Sequence, residues 1–333
     1  SSSYERSLEK IQAAFGAEHP LVAQSLTYLG FLNSATGKYA DAETYLKKAL
    51  DIRQKSLAPE HQDTATNLSA LARVYMTTGR YFEAEKLLAR SMKIREKLLG
   101  VNHPLYSGSI SSTAELYEAM GKYVDAELLY KKALDIRTKA RGSEHPGTAR
   151  VMTSLAGLYL NMGRYEDAER LVSKAIPINE NKLGREHIET AKSMQVLAEI
   201  NMAKGLYAEA EPLCKRALGI REKILTKQHP SVAESRLALA TLYKSSGRAA
   251  EAELEYQKAL EIQEATLGRD HLEVARTLNF LGSLYQARGD VQQAEPLYLR
   301  ALETSEKAFG KYHPEVAESQ DTLAGFYMSA GRF

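Results

Sequence analysis

Apolar and small residues recur at helical spacing along the chain, and the same pattern returns every 42 residues without insertion or deletion. In the first half of a repeat, residues such as Leu26, Leu29 and Gly30 fall on one stripe, as in an amphipathic helix. In the second half, Ala84 and Leu88 mark an equivalent stripe. Each repeat is therefore predicted to contain two helices, and the fold class to be all-α.

The ends of these helices are marked by residues that share the 42-residue period. All eight histidines occupy one register, and a proline follows five of them. Proline suits the first turn of a helix and keeps the preceding residue extended, as an N-cap requires. Glycines of the same spacing supply the left-handed residue that ends a helix. The histidines are His19, His61, His103, His145, His187, His229, His271 and His313.

We interpret the histidines as anchors of the turn before each first helix, and not as metal ligands. Equivalent residues of neighbouring repeats are expected roughly 8–10 Å apart, whereas zinc ligands lie about 2 Å from one shared ion. Two other residues receive structural interpretations. Cys214 falls at a core position and is predicted to be a buried, inert thiol. Pro177 replaces a mid-helix residue of the fourth repeat and predicts a kink there.

Counting positions so that Leu26 is position 4, most repeats carry bulky residues at 4 and 7, Ala or Gly at 8, Tyr at 11, Gly at 15 and Ala at 20 and 27. This pattern resembles the tetratricopeptide repeat. The 42-residue length, and segments such as the one from Glu211 to Leu225, look like the repeats of kinesin light chains and their bacterial relatives. A HEAT-type solenoid has a similar period but lacks the small residues at positions 8 and 20.

The resemblance implies a right-handed α-solenoid of helix-turn-helix repeats, with first helices lining a concave groove. We expect a single domain over residues 1–333. Both ends are predicted to expose apolar faces, through Leu8 and Ile11 or Leu323 and Phe326, and so to belong to a longer array or to self-associate end to end. The predicted segments are a trailing second helix at 1–18, repeats at 19–60, 61–102, 103–144, 145–186, 187–228, 229–270 and 271–312, and a leading first helix at 313–333.

Composition narrows the function. The 44 Lys and Arg against 42 Asp and Glu give a net charge of +2, which argues against a nucleic-acid partner. A single cysteine excludes an intramolecular disulfide, and no apolar run is long enough to span a bilayer. We therefore expect a cytoplasmic protein without a membrane partner. No phosphate-binding glycine motif or catalytic set of residues stands out from the repeat register, so neither enzyme activity nor a cofactor or metal is predicted.

The candidate binding surface consists of first-helix positions 2, 5, 9, 12 and 13, which face the groove in proteins that this chain resembles. These positions vary between repeats while the packing positions recur. Position 2 carries a row of cations that is predicted to bind the carboxylates of an extended peptide; an ordinary solvated face is the alternative. The row is Arg150, Lys192 and Arg276, and the further groove candidates are Arg73, Lys244 and Asn279.

The interpretation that these features favour is a non-catalytic protein-interaction scaffold that binds a peptide or protein segment, acidic in character, in its groove. Asn279 is part of the asparagine pair typical of kinesin light chains, although its neighbour here is Phe280. A second interpretation is a sensor or regulatory region of a larger signalling enzyme, such as an NTPase or a caspase-like protease, because similar arrays are found in such proteins.

Overall fold

The computed structural model describes residues 2–56, 60–309 and 314–330. Within these ranges the regular secondary structure is entirely α-helical, which confirms the predicted fold class. First helices start at the histidine register and second helices start after the glycine register. The helices are α1 Ser2–Phe15, α2 Pro20–Ala35, α3 Tyr39–Ser56, α4 Gln62–Thr77, α5 Tyr81–Leu99, α6 Pro104–Ala119, α7 Tyr123–Arg141, α8 Pro146–Asn161, α9 Tyr165–Leu183, α10 Ile188–Ala203, α11 Tyr207–Ile224, α12 Pro230–Ser245, α13 Ala249–Leu267, α14 Leu272–Ala287, α15 Val291–Phe309 and α16 Pro314–Ser329.

The chain forms two compact units, Ser1–Ile200 and Asn201–Phe333. In the first unit, the first helices α2, α4, α6 and α8 each pack against the second helix that follows, and α3, α5 and α7 pack against the next first helix. The second unit repeats this arrangement from α11 to α16. The core of each unit therefore lies between alternating helices, as in a repeat array. The single domain over residues 1–333 stays a prediction.

Within the described residues, the first helices α2 to α14 are capped by the side chains of their histidines. The backbone N–H of Gly147 donates to His145 Nδ1 at 2.9 Å, and His145 itself is extended, with φ −87° and ψ 136°. The imidazole thus satisfies a donor that the helix leaves unpaired. This confirms the structural interpretation, while His313 lies outside the described residues. The same contact is made by His19, His61, His103, His145, His187, His229 and His271.

The turn between the helices of a repeat depends on its glycine. Gly163 has φ +72°, which a residue with a side chain rarely adopts, and the next N–H, of Arg164, donates to Tyr159 O at 2.8 Å. This bond closes the end of α8. Helix α9 then runs through Pro177 to the same length, 19 residues, as α7. The predicted kink at Pro177 stays a prediction.

Small residues at position 8 let the two helices of a repeat approach each other closely. Gly30 lies in α2, where a Cβ atom would come within 2.6 Å of Leu46 Cγ on α3. Alanine is fully buried at the same position elsewhere, for example Ala156. Cys214 is also fully buried, as predicted from its core position.

The apolar residues predicted to be exposed at the ends of the array are packed inward. The exposed fraction of Phe326 is 1%, and its ring lies 5.2 Å from that of Tyr298. Leu323 is also buried, and Leu8 and Ile11 pack half-buried against the core of α2 and α3. The predicted exposure is therefore wrong, because these residues serve the contact with the neighbouring helix already present. End-to-end self-association loses this support.

Candidate functional site

Consecutive repeats contact each other through a cluster of side chains around one glutamate. This glutamate directly follows the alanine at position 20, in the first turn of the second helix. Glu127 on α7 accepts hydrogen bonds from Tyr159 Oη at 3.0 Å and from Arg164 Nη1 at 2.9 Å, both in the next repeat. Lys131 lies 2.7 Å from the same carboxylate. The Arg164 guanidinium also covers the Tyr159 ring, 4.1 Å from its centroid. The position-11 tyrosine is thus a contact between repeats as well as a core residue.

Because of this cluster, the free energy of unfolding is expected to depend on pH in the acid range. Lys131, and then Arg164 and Tyr159, hold the pKa of Glu127 at about 2, below its ordinary 4.5, against the opposing effect of burial. Because the folded state has the lower pKa, the stabilisation is full above about pH 4.5 and is lost as pH falls toward 2. We expect Glu127→Gln to lower the free energy of unfolding by about 1 kcal/mol at pH 7, and by less at pH 3.

Urea unfolding at pH 7, 4.5 and 3, followed by circular dichroism, measures this effect. Glu144→Gln, in the exposed turn between α7 and α8, is the matched control and should leave the pH profile unchanged. An identical pH dependence in wild type and Glu127→Gln would contradict the assignment.

A second contact between repeats is a column of buried polar side chains that the sequence analysis missed. Position 31, near the end of each second helix, faces position 3 of the next first helix, fourteen residues later. Arg95 Nη1 donates to Ser109 Oγ at 2.7 Å, and Arg95 is only 8% exposed. In most second helices, the sequence marks this position by a polar residue that directly follows an isoleucine. Equivalent pairs are Asn179 with Ser193, Arg221 with Ser235, Gln263 with Thr277, and Ser305 with Ser319.

Two arginines of this column bond within their own repeat. Arg53 donates to Thr27 Oγ1 at 2.7 Å. Arg137 has Val151 at the facing position, which offers no acceptor, and its Nε donates to Ser107 Oγ at 3.0 Å. The partner of these arginines is therefore a hydroxyl group either of the next repeat or of their own repeat.

Three of these guanidinium groups, Arg53, Arg95 and Arg137, form no ion pair with a carboxylate in the part of the chain that the structure describes. Burial lowers the pKa of each, although an arginine side chain stays charged in proteins. Arg150 and Arg141 lie within electrostatic range of Arg137 and lower its pKa further. The first compact unit thus contains partly buried positive charge close to its first helices.

The first helices of the first unit form a continuous surface, because α2, α4, α6 and α8 contact each other in sequence. We call the residues at positions 2, 9, 12 and 13 of the first helices the first-helix surface. Position 2 is exposed or half-buried, and position 13 is exposed throughout the described residues. Position 5 differs from the expectation. Thr27, Thr153 and Gln195 are buried there, because their side chains bond within or between helices.

The three candidate cations of the first unit are exposed on this surface. Arg73 lies on α4. Arg150 on α8 forms an ion pair with Glu189 at 3.0 Å, so part of its charge is compensated. Lys192 on α10 lies within electrostatic range of Glu118, whose pKa it helps to lower against a stronger effect of burial.

In the second unit, Lys244 is half-buried, and its Nζ donates to Ser283 Oγ on the next first helix. Burial lowers its pKa. Arg276 is exposed and pairs with Glu273 of its own helix at 3.0 Å. Asn279 is half-buried, and its Oδ1 has no hydrogen-bond partner within the described residues. Lys244 and Asn279 thus contribute less accessible surface than the sequence suggested.

The first-helix surface also carries acids, at the opposite end of the helices from position 2. Glu118, near the end of α6, accepts from Tyr130 Oη at 3.1 Å and from Asn161 Nδ2 at 2.9 Å. Burial raises its pKa, and the neighbouring Glu115 adds to this. Arg150 and Lys192 therefore lie near the start of their first helices, whereas Glu118 lies near the end of α6.

Neither a metal site nor a membrane span is found in the described ranges. No group of three His, Cys, Asp or Glu side chains there is arranged to hold a metal ion. Every helix there is too short or too polar to cross a bilayer.

Comparison with known proteins identifies the repeats. A family model described as tetratricopeptide repeat matches residues 2–55, 63–139, 110–181, 187–265, 247–296 and 273–333. No curated protein matches the chain. A solved structure of nearly identical TPR-like repeats from a putative kinesin light chain of Podosopora anserina is 30% identical over 62% of this chain and 98% of that one, with a TM-score of 0.47.

Two further solved structures show the fold at lower identity. A tetratricopeptide repeat protein from Parabacteroides merdae is 18% identical over 91% of this chain and 98% of its own, with a TM-score of 0.53. The apo form of RapI is 13% identical over 86% of this chain and 98% of its own, with a TM-score of 0.60. At these identities the similarity concerns the helical-repeat fold alone.

Proposed function

Because the chain belongs to the tetratricopeptide repeat family, whose members act as protein-interaction scaffolds, we propose that it binds an extended peptide or protein segment on the first-helix surface. The supporting observation is the contrast between positions. Packing residues, histidine caps and the contacts between repeats recur with the 42-residue period, whereas positions 2, 9, 12 and 13 do not. A surface of non-repeating side chains on stacked repeats suits recognition of a non-repeating segment.

The cations of this surface are the groups that an acidic ligand would contact. Arg73, Arg150 and Lys192 are exposed on the first unit, and the partly buried guanidinium group of Arg137 lies within electrostatic range of Arg150. Charge-assisted hydrogen bonds from such groups would orient carboxylates of the ligand. In the second unit Arg276 supplies the corresponding position-2 charge. The proposed function consists of binding, without a chemical step.

Site-specific photo-crosslinking tests this proposal. A photoreactive amino acid replaces Lys192 on the first-helix surface or, as a control, the exposed Lys174 on second helix α9, and cross-linked partner peptides are mapped by mass spectrometry. We expect one set of acidic peptides to cross-link from position 192 and not from 174. Replacing Arg150, Lys192 and Arg276 by Ala should weaken binding of those peptides at least tenfold. Cross-links from position 174 alone, or unchanged affinity, would contradict the proposal.

A further inference from the structure

Arg137 stands apart from the other buried arginines because two unusual glycines flank its guanidinium group. Gly108 on α6 occupies position 2, where the other repeats carry Gln, Thr, Arg, Lys or Glu. Gly147 is the second residue of α8, at a position occupied elsewhere by Leu, Asp, Glu or Ser. Neither glycine belongs to the series that ends helices. A Cβ atom at Gly147 would lie 2.4 Å from Arg137 Nη1, and one at Gly108 would lie 3.6 Å from Nη2.

The missing side chain at Gly147 makes room for Nη1 of Arg137, and the missing side chain at Gly108 leaves Nη2 uncovered. Arg137 Nε donates to Ser107 Oγ at 3.0 Å, but Nη1 and Nη2 have no acceptor among the residues that the structure describes. Arg137 as a whole is half-buried, not enclosed. Gly108 lies at a position where a longer side chain would cover Nη2 from the first-helix surface. The guanidinium group therefore has free donors facing that surface.

The electrostatic surroundings of Arg137 favour an anion. Val151 at the facing position supplies no hydroxyl group, and the cations Arg150 and Arg141 lie within electrostatic range of Arg137. A planar guanidinium group with two free donors matches the geometry of a carboxylate. An incoming carboxylate would satisfy both donors and offset the repulsion between the arginines.

We propose that Arg137, in the notch between Gly108 and Gly147, binds a carboxylate of the peptide ligand. This site rests on the proposed binding function and names one point of recognition within it. Arg150, at position 2 of the adjacent first helix, adds a second positive charge, since its exposed ion pair with Glu189 is of the kind that contributes little energy and is readily exchanged. The carboxylate belongs either to an acidic side chain or to the end of the peptide.

Fluorescence anisotropy with three labelled probes tests the site. Hexaglutamate with an amidated C-terminus carries side-chain carboxylates only, hexaglutamine with a free C-terminus carries only the terminal carboxylate, and amidated hexaglutamine is the baseline. The binding protein is the whole chain. We expect one of the first two probes to bind above baseline, and its identity tells which carboxylate the notch takes.

The decisive variant is Gly108→Gln. Glutamine stands at this position in α2 as Gln24 and favours a helix more than glycine does, so the fold and the charge of Arg137 are retained while its donors are covered. We expect the affinity for the carboxylate probe to fall at least tenfold, as for a lost charge-assisted hydrogen bond. Arg137→Gln should have the same effect.

Gly219→Gln is the matched control, because Gly219 is exposed on second helix α11, outside the first-helix surface, and a Cβ atom there meets nothing within 4 Å. It should change the affinity less than about twofold. Unchanged affinity in Gly108→Gln, or no binding of either carboxylate probe, would overturn the carboxylate site. Neither outcome would affect cross-linking of partner peptides from position 192, so the proposed function is tested separately.

Discussion

Replacing Ser109 by Val is expected to lower the free energy of unfolding by about 2–3 kcal/mol, because it leaves the Arg95 guanidinium group buried without a close acceptor. The Ser109 Oγ contact is 2.7 Å, whereas the other two contacts, to Leu105 O and Thr66 Oγ1, are 3.5 Å long. Arg95 Nε is already buried without a partner among the described residues. No carboxylate of the described residues forms an ion pair with this guanidinium group.

The junction between the third and fourth repeats indicates how this loss of stability could be offset. Val151 stands naturally at the same position, and Arg137 bonds instead to Ser107 through Nε. The residue equivalent to Ser107 in the repeat of Arg95 is Ala65. Adding Ala65→Ser to Ser109→Val should therefore recover at least about 1 kcal/mol, the usual net value of one hydrogen bond.

Urea unfolding of the single and double variants measures both effects. Ser112→Val, at a half-buried hydroxyl group of the same helix, controls for the lower helix propensity of valine. If Ser109→Val had the stability of the wild type, or if adding Ala65→Ser recovered no stability, the burial of Arg95 would not depend on hydrogen bonds to these hydroxyl groups.

Two Gly→Ala changes on first helices should have opposite signs. Gly30→Ala gains about 1 kcal/mol of helix propensity, but its Cβ atom would lie 2.6 Å from Leu46 Cγ. Overpacking of this kind costs about 1–3 kcal/mol, so we expect a net loss. Gly157→Ala is the matched control. Its Cβ atom would meet nothing within 4 Å, and we expect a gain of about 0.5–1 kcal/mol.

The cause of the loss at Gly30 is testable by a double-mutant cycle with Leu46→Val. Ala156 and Val172 form this pairing naturally at the same two positions of the fourth repeat. Leu46→Val alone should cost about 1 kcal/mol. Together with Gly30→Ala the loss should be smaller than the sum of the single losses. Equal stabilisation by both glycine replacements, measured from thermal and urea unfolding, would contradict the close approach of α2 and α3.

The sequence alone was sufficient to predict the helices, their caps and the small residues at position 8. The 42-residue period places His145 directly before Pro146. The cap formed by the histidine and the proline in the first turn then set the start of α8. By contrast, side chains whose partners belong to another repeat were not predictable from their own repeat. Arg95 sits next to a buried isoleucine, and an arginine there is ordinarily expected to reach solvent. Its burial depends on Ser109, fourteen residues later.

The candidate surface shows the same limit. Exposure of Arg73, Arg150 and Lys192 agrees with the expectation drawn from their positions. Lys244, however, reaches Ser283 on the following first helix, a contact that requires the distance between two repeats. Gly108 was visible in the sequence as an irregularity, but its meaning depends on Arg137 lying behind it, which only the packing of α6, α7 and α8 reveals.

Because of the buried polar column, deleting one repeat is expected to affect stability differently from deleting another. A deletion of residues 145–186 would bring Ser193 opposite Arg137 in place of Val151, and the arginine would gain an acceptor. A deletion of residues 103–144, of the same length, would bring Val151 opposite Arg95, whose own repeat has Ala65 where Ser107 would be needed. Loss of one repeat is therefore tolerable at one junction and not at the other, so the order of the repeats is constrained by their neighbours even where their helices are alike.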